Sequence, residues 1–413
     1  MKTYARYKDS GISWIGDVPE HWDVVRNKNF INEKDEVVGD RFEEYTLLSL
    51  TKGGVIARDI ESGKGKFPKD FDSYKIVQPG NVIFCLFDVD ETPRTVGLSS
   101  LRGMITGAYD VFEPININAR YYAYYFLAVD DRKALRPLYT GLRKVVKKDR
   151  FLACKIPVPP LPEQKAIAEY LDKKTAQINE LVSAKQKQIE LLKEYKQSVI
   201  ANAVTGKMNK NRRMKDSGVS WNGKIPENWE VDKLGHRFIQ RKEKVSDKDY
   251  PPLSVSKMGV TPQLESACKT DDGDNRKLVL KGDFVVNSRS DRKGSCGLSE
   301  LDGSVSLINI IATPRNIDGH YIHYLFRSSN YIEEFYRMGR GIVADLWTTR
   351  WSEMRTIMIP VPPLSEQKEI VAYIEKKVSS IDSQIASIEN QIANLNEYKQ
   401  SLISDVVTGK VKV

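Results

Sequence analysis

Two Glu-x-Lys pairs are the first candidates for chemistry in this sequence. Glu163 precedes Lys165 by two positions, and Glu366 precedes Lys368 in the same way, a spacing found in metal-dependent nucleases. Both pairs fall at a predicted helix start, and no metal-binding Asp on a strand is evident upstream. A glutamate in the first helical turn is stabilised by the positive end of the helix dipole. We therefore interpret both glutamates as structural.

Three further patterns also fail as catalytic motifs. The Pro-Pro pairs lack the preceding Asn or Asp and the following aromatic residue of an amino-methyltransferase loop. The GK dipeptides at Gly206 and Gly409 are not followed by Ser or Thr, as a phosphate-binding P-loop requires. Of the four histidines, His21, His236, His320 and His323, only His320 and His323 come near a metal-ligand spacing. The sequence predicts a chain with no catalytic, metal or cofactor site of its own.

Composition narrows the class of protein. The chain has 413 residues and a formal net charge of +9, which suits a polyanionic partner such as nucleic acid. Cys85, Cys154, Cys268 and Cys296 form no CxxC pair, so neither a disulfide framework nor a zinc site is indicated. Neither a signal peptide nor an apolar run long enough for a membrane span is present. We expect a soluble, cytoplasmic protein without membrane contact.

An internal duplication determines the predicted architecture. KDSGISWIGDVPEHWDV from Lys8 returns as KDSGVSWNGKIPENWEV from Lys215, and IPVPPLPEQ from Ile156 returns as IPVPPLSEQ from Ile359. EYKQSVIANAVTGK from Glu194 is matched from Glu397. Because the offset between copies drifts around 205 residues, the copies are two folded units with loops of different length.

Each copy has a β-rich part followed by a long helix. Short β-rich runs such as residues 81–87 and 283–288 lie between turn residues and predict a mixed α/β globule. Residues 163–203 and 366–407 lack Gly and Pro and carry apolar residues at a three-four spacing, which favours a coiled coil over packing on the chain's own globule. Pro-Pro connectors begin these helices, and Gly206 and Gly409 are placed to cap them.

These motifs resemble those of the specificity subunit of a type I DNA restriction-modification system. The duplicated PPLxEQ helix start, the SGxxWxGxxPExW segments and the EYKQS...VTGK helix ends carry the resemblance, which covers essentially the whole chain. It implies an α/β (α+β) fold with two target recognition domains, residues 1–155 and 209–358, and a pseudo-twofold repeat. It also implies that residues 156–208 and 359–413 form two spacer helices pairing as an antiparallel coiled coil.

The resemblance also implies a function and partners. The chain is expected to read double-stranded DNA and to assemble with two methyltransferase subunits and two motor/nuclease subunits. S-adenosylmethionine, ATP and Mg would belong to those subunits. A helix of about 40 residues measures about 60 Å, or at most about 18 base pairs. Two different recognition domains at that separation predict an asymmetric, bipartite site with an unread gap.

Basic loops at equivalent places supply the predicted DNA contacts. Glycine beside arginine suits a close approach to phosphates and guanine edges. The candidates are Arg94, Arg143, Lys144 and Lys147 in the first copy and Arg289, Arg292, Lys293 and Arg340 in the second. Lys52, Lys64 and Lys66 are weaker candidates for phosphate contacts. A solvated charged face is the alternative for any one of them.

Aromatic residues at helical spacing predict packing. Tyr121 to Phe126 and Tyr321 to Phe326 carry rings at matching positions, and we expect core packing rather than base stacking. Trp14, Trp22, Trp221 and Trp229 are expected to dock the globules onto the helix ends. Two other functions stay open: a coiled-coil adaptor with protein-binding globules, and the specificity subunit of a related methyltransferase-nuclease fusion system.

Overall fold

The computed structural model describes residues 2–58, 71–208, 211–263, 272–341 and 347–413. The chain divides into two compact units. Unit 1 comprises Met1–Lys185 and Asn390–Val413, and unit 2 comprises Gln186–Glu389. Each unit therefore contains a β-rich globule, the start of the long helix that follows this globule, and the end of the other long helix.

Unit 1 is built on a four-stranded antiparallel sheet in the order β4-β11-β8-β9. Its strands are β1 Tyr7–Asp9, β2 Asp17–Pro19, β3 Asp23–Arg26, β4 Ile31–Glu33, β5 Leu48–Thr51, β6 Gly54–Ala57, β7 Lys75–Val77, β8 Val82–Phe84, β9 Val96–Leu98, β10 Gly103–Ile105, β11 Asp110–Pro114, β12 Tyr139–Thr140, β13 Val145–Val146 and β14 Lys155–Val158. Its helices are α1 Ala119–Asp131 and α2 Lys148–Ala153, followed by the long α3 Leu161–Val204. Strand β14, the connector to α3, pairs with β3 and so ties the helix start to the globule.

Unit 2 has the matching sheet, β18-β26-β23-β24, again antiparallel. Its strands are β15 Met214–Asp216, β16 Lys224–Pro226, β17 Glu230–Lys233, β18 Phe238–Arg241, β19 Lys244–Val245, β20 Leu253–Ser256, β21 Gly259–Pro262, β22 Arg276–Val279, β23 Phe284–Asn287, β24 Cys296–Leu298, β25 Gly303–Val305, β26 Asn309–Pro314 and β27 Met358–Val361. Its helices are α4 Gly319–Phe326, α5 Ser329–Arg337 and α6 Trp351–Met354, followed by the long α7 Leu364–Val407. Here β27 pairs with β17, as β14 does with β3.

The predicted aromatic packing is confirmed in both units. Tyr121, Tyr122 and Phe126 of α1 are at most 2% exposed, and Phe126 contacts Phe84 of the sheet with ring centroids 5.1 Å apart. In unit 2, the rings of Tyr321 and Phe326 are buried in the same way. These rings fill the layer between sheet and helix and are closed to a stacked base.

The long helices pair, as the apolar stripe predicts, and they do so in the antiparallel order that the resemblance implies. In unit 1, Lys399 Nζ of α7 donates to Asn179 Oδ1 of α3 at 2.9 Å, and Lys185 Nζ of α3 donates to Gln391 Oε1 of α7 at 2.5 Å. Partner numbers rise on one helix as they fall on the other. In unit 2, Lys196 of α3 donates to both carboxylate oxygens of Asp382 at 2.7 and 2.8 Å.

The apolar stripes do not pack on a helix partner alone. In unit 1, Ile167 and Leu171 of α3 share one buried core with Leu402 and Val406 of α7 and with the rings of the globule. The ends of the helices are thus packed against a globule and a helix together, so the two alternatives weighed from the sequence both hold at these ends.

Glycine caps end both helices in the predicted left-handed conformation. Gly206 has φ +77° and Gly409 has φ +74°. The next residue, Lys207 or Lys410, donates its N–H back to the carbonyl of Asn202 or Asp405 at 2.8 Å. This satisfies carbonyl groups that have no partner at a helix end.

Only part of the predicted tryptophan collar contacts the helix ends. Trp22 and Trp229 are fully buried, and a Cβ on Gly409 or Gly206 would lie 3.2 Å from the respective ring. For Trp14 and Trp221, the ring contacts lie within the globule, and docking onto a helix end stays a prediction. Trp14 packs on Tyr125 of its globule, and Trp221 packs on Tyr331 and donates its indole N–H to the Met358 carbonyl at 3.2 Å. Proximity to Gly and Pro in the sequence did not distinguish these two surroundings.

Candidate nucleic-acid interface

The repeated PPLxEQ segment positions each globule through a buried glutamine. In unit 1, Gln164 Nε2 donates to the Pro159 carbonyl, and its Oε1 accepts from the Asn118 N–H, both at 2.8 Å. Asn118 is the N-cap of α1, and its side chain accepts from the N–H groups of Arg120 and Tyr121. One side chain therefore joins the connector, the start of α3 and the start of α1.

Unit 2 repeats this bridge. Gln367 Nε2 donates to the Pro362 carbonyl, and its Oε1 accepts from the N–H of Asp318, the N-cap of α4, both at 2.7 Å. Gln164 and Gln367 are each 1% exposed. The glutamine of the motif is thus a structural residue that holds the recognition globule on its helix.

The glutamate of the same motif is bound differently in the two units. Glu163 accepts hydrogen bonds from Tyr4, from His21 at 2.9 Å and from the Trp22 indole at 3.1 Å. Its counterpart Glu366 forms an ion pair with Arg212. Burial alone would raise the pKa of Glu366, but the hydrogen bond and charge of Arg212 outweigh it and hold the pKa below its ordinary value. The structural interpretation of both Glu-x-Lys pairs agrees with these contacts.

The two predicted basic loops of unit 1 lie next to each other. The Asp88 N–H donates to the Arg143 carbonyl at 2.9 Å, and the Val146 N–H donates to the Leu86 carbonyl at 2.8 Å. The second loop is the turn of the β12-β13 hairpin, and its Leu142 is fully exposed. Segments that lie more than 50 positions apart in sequence thereby form one surface.

Most predicted side chains on this surface carry carboxylate partners. Arg143 is 70% exposed and pairs with Asp88 at 2.8 Å, and Lys144 pairs with Asp90 at 3.2 Å. Lys147 is exposed at the N-cap of α2. An exposed ion pair contributes little to stability, so the cations that form one remain able to exchange it for a phosphate.

Arg94 has a different environment from the other candidates of unit 1. Its side chain is 18% exposed and bonds to Asp130 at 3.2 Å and to Asp131 at 2.9 Å, both on α1. The Asp130 carboxylate, itself 2% exposed, also accepts from the backbone and hydroxyl of Thr95. Lys133 pairs with the same carboxylate at 2.8 Å, so Asp130 would keep one cation if Arg94 turned to DNA, but two largely buried ion-pair contacts of Arg94 would be broken, which is costly. This geometry favours a structural role, although DNA contact by Arg94 stays a prediction.

The matching loops of unit 2 are also brought together. The Ser290 N–H donates to the Trp347 carbonyl at 2.9 Å, and Arg340 and Thr348 exchange backbone hydrogen bonds at 3.0 and 3.2 Å. Arg289 and Arg292 both pair with Asp291, and Lys293 pairs with Glu333 at 3.0 Å. Arg340 is 83% exposed, with Glu353 at 3.8 Å. The weaker candidate Lys52 is exposed in the β5-β6 turn, whereas Lys64 and Lys66 lie outside the described residues.

Sequence reasoning missed a second cationic surface in unit 2. Lys242, Lys277 and Arg355 line a surface cavity of about 760 Å³ together with Arg350. They come from separate elements, so no run of basic residues marks them. A position-by-position alignment of the two copies would have found one signal, since Lys242 stands where the first copy has Asp35.

The described residues contain no cluster of His, Cys, Asp and Glu able to hold a metal ion. Within the same described ranges, no helix is long and apolar enough to cross a membrane.

Comparison with known proteins first gives a family match over part of the chain. Residues 106–191 match the family described as type I restriction modification DNA specificity domain. This segment runs from the central sheet of unit 1 through α1 and the connector into α3. The matched region thus contains the buried Gln164 bridge between globule and helix.

Particular relatives extend the match to nearly the whole chain. The type I restriction enzyme MjaVIII specificity subunit of Methanocaldococcus jannaschii is 26% identical, over 96% of this chain and 94% of its own. In fold, the chain is similar to a structure from work on complex assembly of the type I R-M system (TM-score 0.65, 15% identity, covering 95% of this chain and 99% of that one). It is also similar to the HsdS subunit from Thermoanaerobacter tengcongensis (TM-score 0.53, 16% identity, covering 99% and 100%). The chain is therefore similar over nearly its whole length to specificity subunits of type I restriction enzymes, and it shares their fold.

Proposed function

We propose that this chain is the non-catalytic DNA-recognition subunit of a type I restriction-modification complex. The observation that carries the proposal is the repetition of one fold with different basic loops at equivalent places. The loop of Arg143 to Lys147 in unit 1 matches the loop of Arg340 in unit 2, and the loop of Arg94 matches the loop of Arg289 to Lys293. Different loops on equivalent frameworks would read different bases. The target is therefore an asymmetric site with two half-sites.

The long helices would set the separation of the half-sites. Each has 44 residues, or about 66 Å at 1.5 Å per residue. That length corresponds to at most about 19 base pairs of DNA. The bases between the half-sites are left unread, and their number follows the length of the helices rather than the loops of the globules.

The chemistry would belong to partner subunits. Two methyltransferase subunits would bind S-adenosylmethionine and methylate adenine, and two motor/nuclease subunits would use ATP and Mg. The complex would act in the cytoplasm, where its DNA substrate lies. The specificity subunits to which this chain is similar support these partners.

Mapping of methylated adenines in host DNA tests this function. The chain is co-expressed with the neighbouring methyltransferase, and the methylated sites are read by single-molecule sequencing. A split, asymmetric motif that disappears when the chain is omitted supports the proposal. Methylation that does not change on omission contradicts it and favours an adaptor function.

Variants of each unit sharpen this test. Arg143→Gln with Lys147→Gln in unit 1, and Arg289→Gln with Arg340→Gln in unit 2, are expected to reduce methylation at the mapped sites. The matched control is Arg6→Gln with Lys248→Gln, since both side chains are about 80% exposed and lie outside the basic loops. Equal losses in loop and control variants would contradict the assignment of these loops to DNA.

A further inference from the structure

The cavity of unit 2 is lined by four cations. Lys242, Lys277, Arg350 and Arg355 reach it from the end of β18, from β22 and from both ends of α6. The other residues that line it are neutral, and they include the exposed side chains of Leu307 and Ile308. No carboxylate is among the lining residues, within the part of the chain that the structure describes.

The charge in this cavity is not neutralised by ion pairs. Among the described residues, none of the four cations has a carboxylate oxygen within 4.0 Å. The nearby Glu353 instead accepts from the backbone N–H of Arg350 and forms a long ion pair with Arg340 at 3.8 Å. Lys277 Nζ donates to the Asn309 carbonyl at 2.7 Å, and burial followed by the charge of Lys244 lowers the pKa of Lys277. Cations held together without counter-charges attract an anion from solution.

The sheet registers identify the same surface in unit 1. Ile31 pairs with Pro114 as Phe238 pairs with Pro314, which makes Glu33 the counterpart of Gln240. The sheet registers also make Asp35 the counterpart of Lys242, Lys75 that of Lys277, and Asp110 that of Ile310. The first helical residues before the two connectors, Lys148 of α2 and Trp351 of α6, correspond by their positions in the repeat.

In unit 1 this surface is neutralised internally. Lys75 pairs with Asp35 at 2.7 Å. Lys148 pairs with Glu33 and, at 3.2 Å, with Asp110. Unit 2 has Gln, Lys and Ile where these three acids stand. The duplicated framework thus carries paired charges in one unit and unpaired cations in the other.

Resting on the proposed function, we propose that the cavity of unit 2 binds backbone phosphates of the half-site that this unit reads, and that the internally paired patch of unit 1, formed by Glu33, Asp35, Lys75, Asp110 and Lys148, does not. Arginine and lysine are the usual ligands of DNA phosphates. The exposed Leu307 and Ile308 and the Trp351 ring beside the cations suit the apolar faces of sugars and thymine methyl groups. An acidic protein surface is the competing occupant, and the test below separates the two.

The salt dependence of DNA binding measures this contact. Binding of the mapped target to the full chain, assembled with its methyltransferase, is followed by fluorescence anisotropy between about 50 and 200 mM salt. Each phosphate contact contributes about 0.9 to the slope of log K against log salt concentration. Lys242→Gln with Arg355→Gln is expected to reduce the slope by up to about 2 and to weaken binding at all salt concentrations.

Two comparisons control for charge and for folding. Lys248→Gln with Lys281→Gln removes the same charge from exposed positions of unit 2 outside the cavity and is expected to leave the slope within experimental error. Gln240→Glu with Lys242→Asp installs the residues that unit 1 carries at these places and is expected to weaken binding further. Thermal melting confirms that each variant is folded.

Neutral methylphosphonate linkages locate the contact. Placed in the half-site of unit 2, they are expected to weaken binding by the wild-type complex and to have little further effect on the Lys242→Gln, Arg355→Gln variant. Equal salt-dependence slopes for the cavity variant and the control variant would overturn the inference. It would also be overturned if the cavity variant failed to assemble with the methyltransferase while its salt dependence stayed unchanged, since that result assigns the cavity to a protein partner. Failure of the proposed function is distinguishable, because the wild-type complex would then produce no chain-dependent methylation motif.

Discussion

Removal of the buried glutamine bridge of unit 1 should loosen the globule from its helix. In Gln164→Leu, the buried Pro159 carbonyl and the half-buried Asn118 N–H both lose a partner at 2.8 Å, and the leucine side chain fills the space of the lost amide. A buried polar group left without a hydrogen bond costs about 1–3 kcal/mol. We therefore expect the free energy of unfolding of unit 1 to fall by about 2–6 kcal/mol. In a unit of about 200 residues, 2 kcal/mol alone lowers Tm by about 4–8 °C.

Calorimetry of the full chain measures this change, because a lowered transition in unit 1 separates from that of unit 2. Gln367→Leu should shift the other transition by a similar amount. Gln177→Leu is the matched control, since Gln177 lies exposed on α3 within unit 1. If Gln164→Leu melts within about 1 °C of the control, the bridge does not carry the free energy assigned to it, and the PPLxEQ glutamine needs another explanation.

Three further predictions address the helices and their ends. Deletion of one heptad from each long helix should shorten the unread gap by at most about three base pairs without changing the bases read, and an unchanged gap in the methylation map would contradict the spacer role. Alanine in a left-handed backbone conformation costs about 1–2 kcal/mol. Gly206→Ala should lower the free energy of unfolding of unit 2, measured in urea, by more than this, because its Cβ would also lie 2.3 Å from Pro226. Gly218→Ala is the control, since its Cβ would meet open space and only the backbone cost should appear. Folding lowers the pKa of Glu366 below its ordinary value of 4.5, so the ionised carboxylate stabilises unit 2 above that pH, and this stabilisation is lost as pH falls through the folded-state pKa. In Glu366→Gln, the stability of unit 2 should therefore fall less steeply at acid pH than in the wild type.

The sequence predicted the elements whose determinants are local. Helices α3 and α7 follow from more than 40 residues without Gly or Pro, and the left-handed caps at Gly206 and Gly409 follow from a glycine two positions after the last apolar residue. The three-four spacing of apolar side chains also predicted that each helix pairs with another helix, whereas the antiparallel order came from the resemblance. Local signals are strong because each residue's neighbours along the chain are its neighbours in a helix.

Contacts between distant segments could not be read in the same way. Arg94 bonds to Asp130 and Asp131, which lie more than 35 residues away in the sequence. The Pro and Gly near Arg94 in the sequence therefore gave no sign that its side chain is largely buried. Arg143 is exposed, as expected of a reading loop, but its partner Asp88 lies on the other predicted loop. The sequence identified two loops in each unit, whereas their association into one surface is a property of the fold.

The duplicated framework and the charges that it carries have diverged to different degrees. Gln164 and Gln367 make the same two bonds, because any change there leaves buried backbone groups without partners. At the sheet edge, Asp35 and Lys242 carry opposite charges at equivalent places, because an exposed charge can change at little cost in stability. A duplication of this kind keeps the two globules positioned alike on their helices while their outer surfaces become different. Reading an asymmetric DNA site requires this combination, since the backbone framework must be the same in both units while the side chains that contact DNA must differ.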